Sequence, residues 1–112
     1  MFHVLVSDKL SDEGIQLLEK EDNISVTVNT SLSAEELRSC VSEYDAIIIR
    51  SKTTLTADIL AAEKKMRVVA RAGVGVDNID IDAATRHGII VMNTPGGNSV
   101  STAELAVAHI MS

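Results

Sequence analysis

Two segments rich in glycine and asparagine carry the residue types with which this 112-residue chain could bind a small anion. They are residues 71–78 (RAGVGVDN) and residues 93–99 (NTPGGNS). Each follows a short β-branched run and precedes a helical pattern, which predicts two turns at the carboxyl edge of a parallel sheet, where open α/β folds bind ligands. Glycines let a ligand approach the backbone, and outward-pointing amides of such loops bind carboxylate or phosphate.

Two arginines close otherwise apolar strands beside the first of these segments. Arg71 ends the fourth predicted strand, and Arg50 ends the third and is followed by Ser51. Because neighbouring parallel strands lie ~4.8 Å apart, we expect both guanidinium groups and the Ser51 hydroxyl to converge on the rim that carries Gly73 and Gly75. An arginine in this position is costly to bury unless it meets an anion. The alternative is that both side chains reach solvent or pair with acids such as Asp77.

The glycine segment departs from the fingerprint of a dinucleotide phosphate loop. Asn78 occupies the place of the third glycine, and Asn93 stands where an acidic residue would hold a ribose. The segment is therefore a poor Rossmann phosphate loop and a good candidate for binding a smaller anion. In the second segment, Thr94, Asn98 and Ser99 either orient a ligand or satisfy turn amides.

No other residue set predicts catalysis or a metal site. The three histidines are scattered and have no acidic or cysteine partner at triad or metal-ligand spacing. Asp8 closes the first strand, as in phosphate-accepting receiver domains, but Arg50 and Asn93 stand where such a domain needs Asp and Lys. Cys40 is the only cysteine, which excludes an internal disulfide and favours a reducing compartment.

Composition narrows the class of partner and the location. The net charge of −6 argues against nucleic acid and against an anionic membrane surface. No apolar run reaches the ~18 residues of a membrane span, and the amino terminus lacks the basic region of a signal peptide. We expect a cytoplasmic protein.

Strand and helix patterns alternate five times along the chain. The predicted strands are residues 3–7, 24–28, 46–50, 68–72 and 89–92. Short connections without hairpin signals imply right-handed crossovers. The expected fold is α/β: a flavodoxin-like, doubly wound, five-stranded parallel sheet in the order 2-1-3-4-5, with helices on both faces.

Several residues predict where helices begin and end. Ser33 with Glu36, and Ser101 with Glu104, have the spacing of a capping box. Thr56 and Asp80 are the expected N-caps of the third and fourth helices, and Gly88 is the expected stop of the fourth helix.

The last helix is apolar almost all round. Ala103, Ala106 and Ile110 form a stripe together with Val107, and the neighbouring apolar residues are Leu105, Ala108 and Met111. A helix with so little polar surface predicts burial, against further chain or a second copy.

Four segments resemble the D-2-hydroxyacid dehydrogenases. They are residues 48–53 (IIRSKT), 71–80 (RAGVGVDNID), 83–89 (AATRHGI) and 91–99 (VMNTPGGNS), the last followed by Ala103-Glu104. The likeness extends over essentially the whole chain and is greatest to the branch that acts on 3-phosphoglycerate. It implies an oxidoreductase that passes hydride to NAD.

The resemblance implies a role for each candidate site residue. Arg50 and Arg71, with Ser51 beside them, would bind the substrate phosphate. The amides of Gly73 to Gly75 would bind its carboxylate, and Val74 would touch the nicotinamide side of NAD. Many relatives have Thr at position 74, whose side-chain hydrogen bond Val cannot make.

The resemblance also implies that much of the enzyme lies elsewhere. In relatives the dinucleotide loop and the catalytic Arg, Glu and His lie downstream, so we predict no catalytic residue here and no tight NAD binding by this chain alone. Residues 1–99 would form the substrate domain, with Asn98 and Ser99 in the hinge, and 100–112 would begin the helix leading to a Rossmann NAD domain. A homodimer or higher oligomer is expected. The open alternatives are a self-sufficient ligand-binding or self-associating module, and a dehydrogenase for another D-2-hydroxy acid.

Overall fold

Strands and helices alternate along the chain in a computed structural model that describes residues 1–73, 75, 77–94 and 98–111. The strands are β1 (Phe2–Val6), β2 (Ile24–Val28), β3 (Ala46–Ile49), β4 (Val68–Ala72) and β5 (Ile90–Thr94). The helices are α1 (Asp12–Glu19), α2 (Ala34–Cys40), α3 (Ala57–Ala61), α4 (Ile81–Arg86) and α5 (Ser99–Met111), and a 3-10 turn covers Val41–Glu43.

All strand pairs are parallel, and the sheet order is β2-β1-β3-β4-β5. This confirms the predicted α/β fold and strand order. The order reverses between β1 and β3, so the carboxyl edge above these two strands is the switch point at which such folds bind ligands. Ile49 of β3 pairs with Arg71 of β4, which in turn pairs with Asn93 of β5.

The two faces of the sheet form two separate hydrophobic layers, because side chains alternate along each strand. Leu5, Ile47 and Val69 face α2, α3 and α4. Val4, Ile48 and Ala70, with others, face α1 and α5. The central strand β3 is fully buried over its whole length, as a strand covered on both faces must be.

The predicted boundaries of the helices are mostly confirmed. Ser33 and Glu36 form the capping box of α2, and Thr56 and Asp80 cap α3 and α4. Gly88 has φ +70, and the N–H groups of Gly88 and Ile89 donate to the carbonyls of Thr85 and Ala84, which closes α4 as predicted.

The predicted capping box at Ser101 is wrong. Helix α5 begins at Ser99, so Ser101 lies inside its first turn. The Asn98 side chain accepts a hydrogen bond from the Ser101 N–H at 3.1 Å instead. An asparagine is a strong N-cap, and its position three residues before Ser101 sets the start of the helix. Strand β5 likewise extends to Thr94 because Asn93 and Thr94 pair with β4.

Helix α5 is buried by its own chain, which corrects the expectation that its apolar stripe requires further chain or a second copy. Ala103, Ala106 and Ile110 pack against the sheet face that α1 also covers. Leu105 and Met111 point away from that face and are 38% and 44% exposed. No helix in the described ranges has the length and apolar character needed to cross a bilayer.

Candidate functional site

The guanidinium of Arg71 lies across the turn that joins β4 to α4. Arg71 shares its sheet face with Val69, so its side chain leaves the edge on the side of α2, α3 and α4. Its Nε donates to Asn78 Oδ1 at 2.7 Å, and its Nη1 donates to the Gly75 carbonyl at 3.0 Å. Both acceptors are amide oxygens, and these two bonds orient the guanidinium.

The two glycines of this turn have backbone conformations that other residues rarely adopt. Gly73 has φ +142 and Gly75 has φ +89. A Cβ atom at Gly73 would lie 2.9 Å from Arg71 Nη1, so the glycine makes room for the guanidinium. The Gly73 N–H donates to the Thr94 carbonyl at 3.0 Å, and so continues the pairing of β4 with β5. Val74 lies outside the described residues.

Arg50 and Ser51 are exposed and directly follow β3, at the same edge as Arg71. The Arg50 side chain is directed toward β1, where its Nη1 donates to the Lys9 carbonyl at a long 3.5 Å. The structure therefore brings the two arginines to one edge and gives their guanidinium groups different protein partners. The 3.5 Å bond of Arg50 is weak and is easily exchanged for an anion.

Asn78 links the two loops and was not among the predicted site residues. Its Nδ2 donates to the carbonyls of Arg50 at 2.7 Å and Thr53 at 2.6 Å, while its Oδ1 accepts from Arg71. In the sequence it stood out only as a departure from the third glycine of a dinucleotide loop. A polar amide following a Gly-x-Gly turn was the available signal.

Asp8 is the second residue that the sequence reasoning passed over. Its carboxylate is 2% exposed and accepts hydrogen bonds from the Arg50 N–H at 2.7 Å, the Thr53 N–H at 2.9 Å and the Thr53 hydroxyl at 2.6 Å. Buried carboxylates need such donors. In the sequence, Asp8 was considered only as a phosphate acceptor. In the structure, these hydrogen bonds join it to the loop from Arg50 to Thr53 that follows β3, here called the β3 exit loop.

The second predicted segment mainly supports the first. Asn93 Nδ2 donates to the Gly73 carbonyl at 3.3 Å. The hydroxyls of Thr94 and Thr102 bond to each other, and the Ser99 hydroxyl accepts from the Ser11 N–H at 3.2 Å. These contacts fix the start of α5 against β5 and α1. Pro95, Gly96 and Gly97 lie outside the described residues.

A cleft of about 220 Å³ lies beside the loops that follow β1, β2 and β3. Its lining combines Ser7, Ser33, Thr53 and Lys52 with the apolar Leu32 and Leu37, and Lys52 Nζ donates to the Thr30 carbonyl. The cleft shares Thr53 with the network around Asp8 and Asn78.

Away from this edge, His87 Nδ1 lies 3.6 Å from Glu63 Oε2. No group of three or more potential metal ligands occurs in the described part of the chain. Burial, and then the charge of Glu43, raise the pKa of the Cys40 thiol. A raised pKa disfavours the thiolate that a nucleophilic cysteine requires.

Residues 4–109 match the family model described as "D-isomer specific 2-hydroxyacid dehydrogenase, catalytic domain". The chain is 48% identical over 108 residues to the D-3-phosphoglycerate dehydrogenase of Archaeoglobus fulgidus, covering 96% of this chain and 20% of the relative. It is 47% identical over 112 residues to the enzyme of the same name from Bacillus subtilis, covering 100% of this chain and 21% of the relative. The chain thus spans about a fifth of the length of these relatives.

Solved structures show the same architecture. The PH0520 protein from Pyrococcus horikoshii OT3 superimposes with a TM-score of 0.80 at 30% identity, covering 86% of this chain and 28% of that one. The NAD+-bound 3-phosphoglycerate dehydrogenase of Entamoeba histolytica superimposes with a TM-score of 0.75 at 29% identity, covering 97% of this chain and 38% of that one.

Proposed function

The chain belongs to the D-isomer specific 2-hydroxyacid dehydrogenase family, and from that premise we propose that it is the substrate-binding portion of an NAD-dependent oxidoreductase acting on 3-phospho-D-glycerate. The observation that carries the proposal is the guanidinium of Arg71, oriented by Asn78 Oδ1 and the Gly75 carbonyl beside a glycine turn at the carboxyl edge of the sheet. The names of the relatives that are 47–48% identical to this chain support the choice of substrate.

In this proposal the two arginines bind the substrate phosphate. Arg71 is already oriented, and Arg50 exchanges its long bond to Lys9 for the ligand. Ser51, exposed beside Arg50, adds a hydroxyl donor. A guanidinium suits this task because its planar set of donors matches phosphate oxygens.

The turn from Gly73 to Gly75 approaches the carboxylate end of the substrate. The N–H of Gly73 already donates to the Thr94 carbonyl, so the role proposed for Gly73 is to leave space, because it has no side chain. Gly75 is exposed and presents backbone. Val74 is assigned to the nicotinamide side of NAD on the family resemblance alone.

The described residues do not fit the phosphates of a dinucleotide. Asn78 stands in the place of the third glycine of a dinucleotide loop, and its side chain is hydrogen-bonded to Arg71 and to the carbonyls of Arg50 and Thr53. We therefore assign no catalytic residue and no step of hydride transfer to this chain. Its contribution is substrate recognition, and NAD is assigned to a Rossmann domain of the complete enzyme.

The wider setting follows from the family. Residues 1–99 are assigned to the substrate domain, and 100–112 to the helix that leads toward the Rossmann domain. Helix α5 can both cover the sheet and lead toward a further domain, because Ala106 and Ile110 are buried while Leu105 and Met111 are exposed. A cytoplasmic homodimer or higher oligomer completes the proposal.

The test is a titration of the ¹⁵N-labelled chain with 3-phosphoglycerate, followed by amide NMR, with D-lactate as the unphosphorylated control. Saturable shifts at Arg50, Arg71 and Gly75, produced by the phosphorylated ligand only, are expected. Arg71→Ala should lower affinity about tenfold to a hundredfold, since a charged hydrogen bond is worth about 1.5–3 kcal/mol. Arg38→Ala, which removes an exposed arginine on α2, should bind as wild type.

Two results would change the assignment. Wild-type affinity in Arg71→Ala would rule out the phosphate site proposed here. Equal shifts with D-lactate would instead indicate a dehydrogenase for another D-2-hydroxy acid.

A further inference from the structure

We propose that Asn78 is the positioning residue of the anion site, and that its single side-chain amide sets both the Arg71 guanidinium and the backbone turn that carries Arg50 and Ser51. The inference rests on the proposed function, because it assumes that these arginines bind the substrate anion. Asn78 itself is not proposed to contact the substrate.

The carbonyl of the amide acts on Arg71. An arginine side chain loses conformational entropy when it is held in one rotamer. The 2.7 Å bond from Nε to Asn78 Oδ1 orders the Arg71 side chain before any ligand binds, so binding loses less conformational entropy. The second bond, from Nη1 to the Gly75 carbonyl, then fixes the plane of the guanidinium.

The NH₂ group of the same amide acts on the β3 exit loop. Its two hydrogens are used by the carbonyls of Arg50 and Thr53. From the opposite side, Asp8 Oδ2 accepts the N–H groups of these same two residues. The turn from Arg50 to Thr53 is thus held at both ends, by its N–H groups toward Asp8 and by its carbonyls toward Asn78.

The chemistry of these partners requires an amide at position 78. A guanidinium only donates hydrogen bonds, and backbone carbonyls only accept them. The side chain at position 78 must therefore accept one hydrogen bond, from Arg71, and donate two, to the carbonyls of Arg50 and Thr53. A carboxylate would lose both donors and would place a negative charge beside Arg71, and an alanine would remove all three hydrogen bonds. Asparagine supplies one acceptor and two donors without adding charge.

The experiment compares Asn78→Ala and Asn78→Asp with Asn29→Ala in the ¹⁵N-labelled chain. Two quantities are measured: the affinity for 3-phosphoglycerate, and the Nε–H signal of Arg71. Asn29 is a matched control, an exposed asparagine after β2 whose amide oxygen accepts from the Ser31 N–H. Thermal unfolding of each variant selects a temperature at which all are folded.

Asn78→Ala is expected to weaken binding about tenfold and to collapse the shifted, exchange-protected Nε–H signal of Arg71 toward that of a solvated arginine. Asn78→Asp should weaken binding at least as much, because its charge competes with the anion, while retaining a shifted Nε–H signal. Asn29→Ala should change neither quantity. The Nε–H signal separates positioning from a general loss of stability, which would not move it in the folded protein.

The outcomes distinguish this inference from the proposed function. Wild-type affinity in Asn78→Ala together with lost affinity in Arg71→Ala would overturn the role of Asn78 alone. Unchanged affinity in Arg71→Ala would overturn the site itself. If Asn78→Ala does not fold, Asn78→Asp decides, and wild-type affinity in that variant contradicts the inference.

Discussion

At the scale of single residues, the site depends on side chains that shape the backbone around Arg71 as much as on Arg71 itself. Gly73 leaves the space that the guanidinium occupies, Asn78 orients it, and Asp8 holds the neighbouring loop through three hydrogen bonds. Each of these residues is small or short, and each acts by contact with backbone or with another side chain. Under the proposed function, anion recognition therefore depends on residues that need not touch the ligand.

Replacing Gly73 by alanine is expected to lower both stability and affinity. Position 73 has φ +142, and the new Cβ would lie 2.9 Å from Arg71 Nη1, so the backbone is strained and the guanidinium must move. The strain should cost about 1–3 kcal/mol in the free energy of unfolding, measured with urea. Gly88→Ala is the control, because φ is +70 and nothing lies within 4 Å of its Cβ. It should lose stability and keep its affinity for 3-phosphoglycerate, and an equal loss of affinity in both variants would argue against displacement of Arg71.

At the scale of the elements, short helices depend on their caps. Helix α2 has seven residues, too few to be stable by helix propensity alone. Its capping box pairs the Ser33 N–H with Glu36 Oε1 at 3.0 Å and the Glu36 N–H with the Ser33 hydroxyl at 3.2 Å. Helices α3 and α4 are capped by Thr56 and Asp80. These caps place the helix starts, and so the loops that precede them, at the carboxyl edge of the sheet.

The capping box of α2 should make stability depend on pH. The hydrogen bond from the Ser33 backbone, and then that from its side chain, lower the pKa of Glu36 below its ordinary value of 4.5. A lowered pKa in the folded state means that the contribution is fully present above pH 4.5 and is lost as the pH falls through the folded pKa. Urea unfolding between about pH 6 and about pH 3 should therefore show a smaller decrease for Glu36→Gln than for wild type. Glu35→Gln, in the same turn but outside the capping box, should follow wild type, and identical curves for all three proteins would contradict the prediction.

At the scale of the whole molecule, the sheet is stable only when both faces are covered. One face is covered by α2, α3 and α4, and the other by α1 and α5. Residues as far apart as Val4 and Ile110 meet in the second layer, and Arg67 Nη1 donates to the Ile110 carbonyl at the end of α5. The last helix is thus a structural layer of the domain, in addition to the connecting role proposed for it.

Truncation after Asn98 is expected to abolish cooperative folding. It removes α5 and uncovers the apolar face formed by β1, β3 and β4, and each large aliphatic side chain that is uncovered costs about 1.5–3 kcal/mol. A total stability of about 5–15 kcal/mol does not tolerate the loss of a layer. Circular dichroism during heating and sedimentation velocity should show no sharp transition, together with aggregation. A stop after Ile110 is the control, since it removes exposed Met111 and should shift Tm little. A truncated chain that melts within about 5 °C of wild type would show that α5 is dispensable.

The sequence by itself was sufficient for the fold. Strand positions, the parallel order and most helix caps are local patterns, and β-branched runs separated by capped helices leave few other topologies. It also identified Arg50, Arg71 and the glycine turn as residues of the carboxyl edge. Errors at this level were of one to three residues, the largest at the start of α5, where Asn98 and Ser101 both resemble caps.

Only the tertiary structure decided how the site is held together. The bond from Arg50 to Asp8 joins residues 42 positions apart, and that from Asn78 to Thr53 joins residues 25 apart. Such contacts depend on strand register and on which loops the sheet order brings together, and neither is encoded in local spacing. For the same reason the sequence placed both arginines at one edge, whereas the structure directed Arg50 toward β1 and Arg71 across the turn before α4.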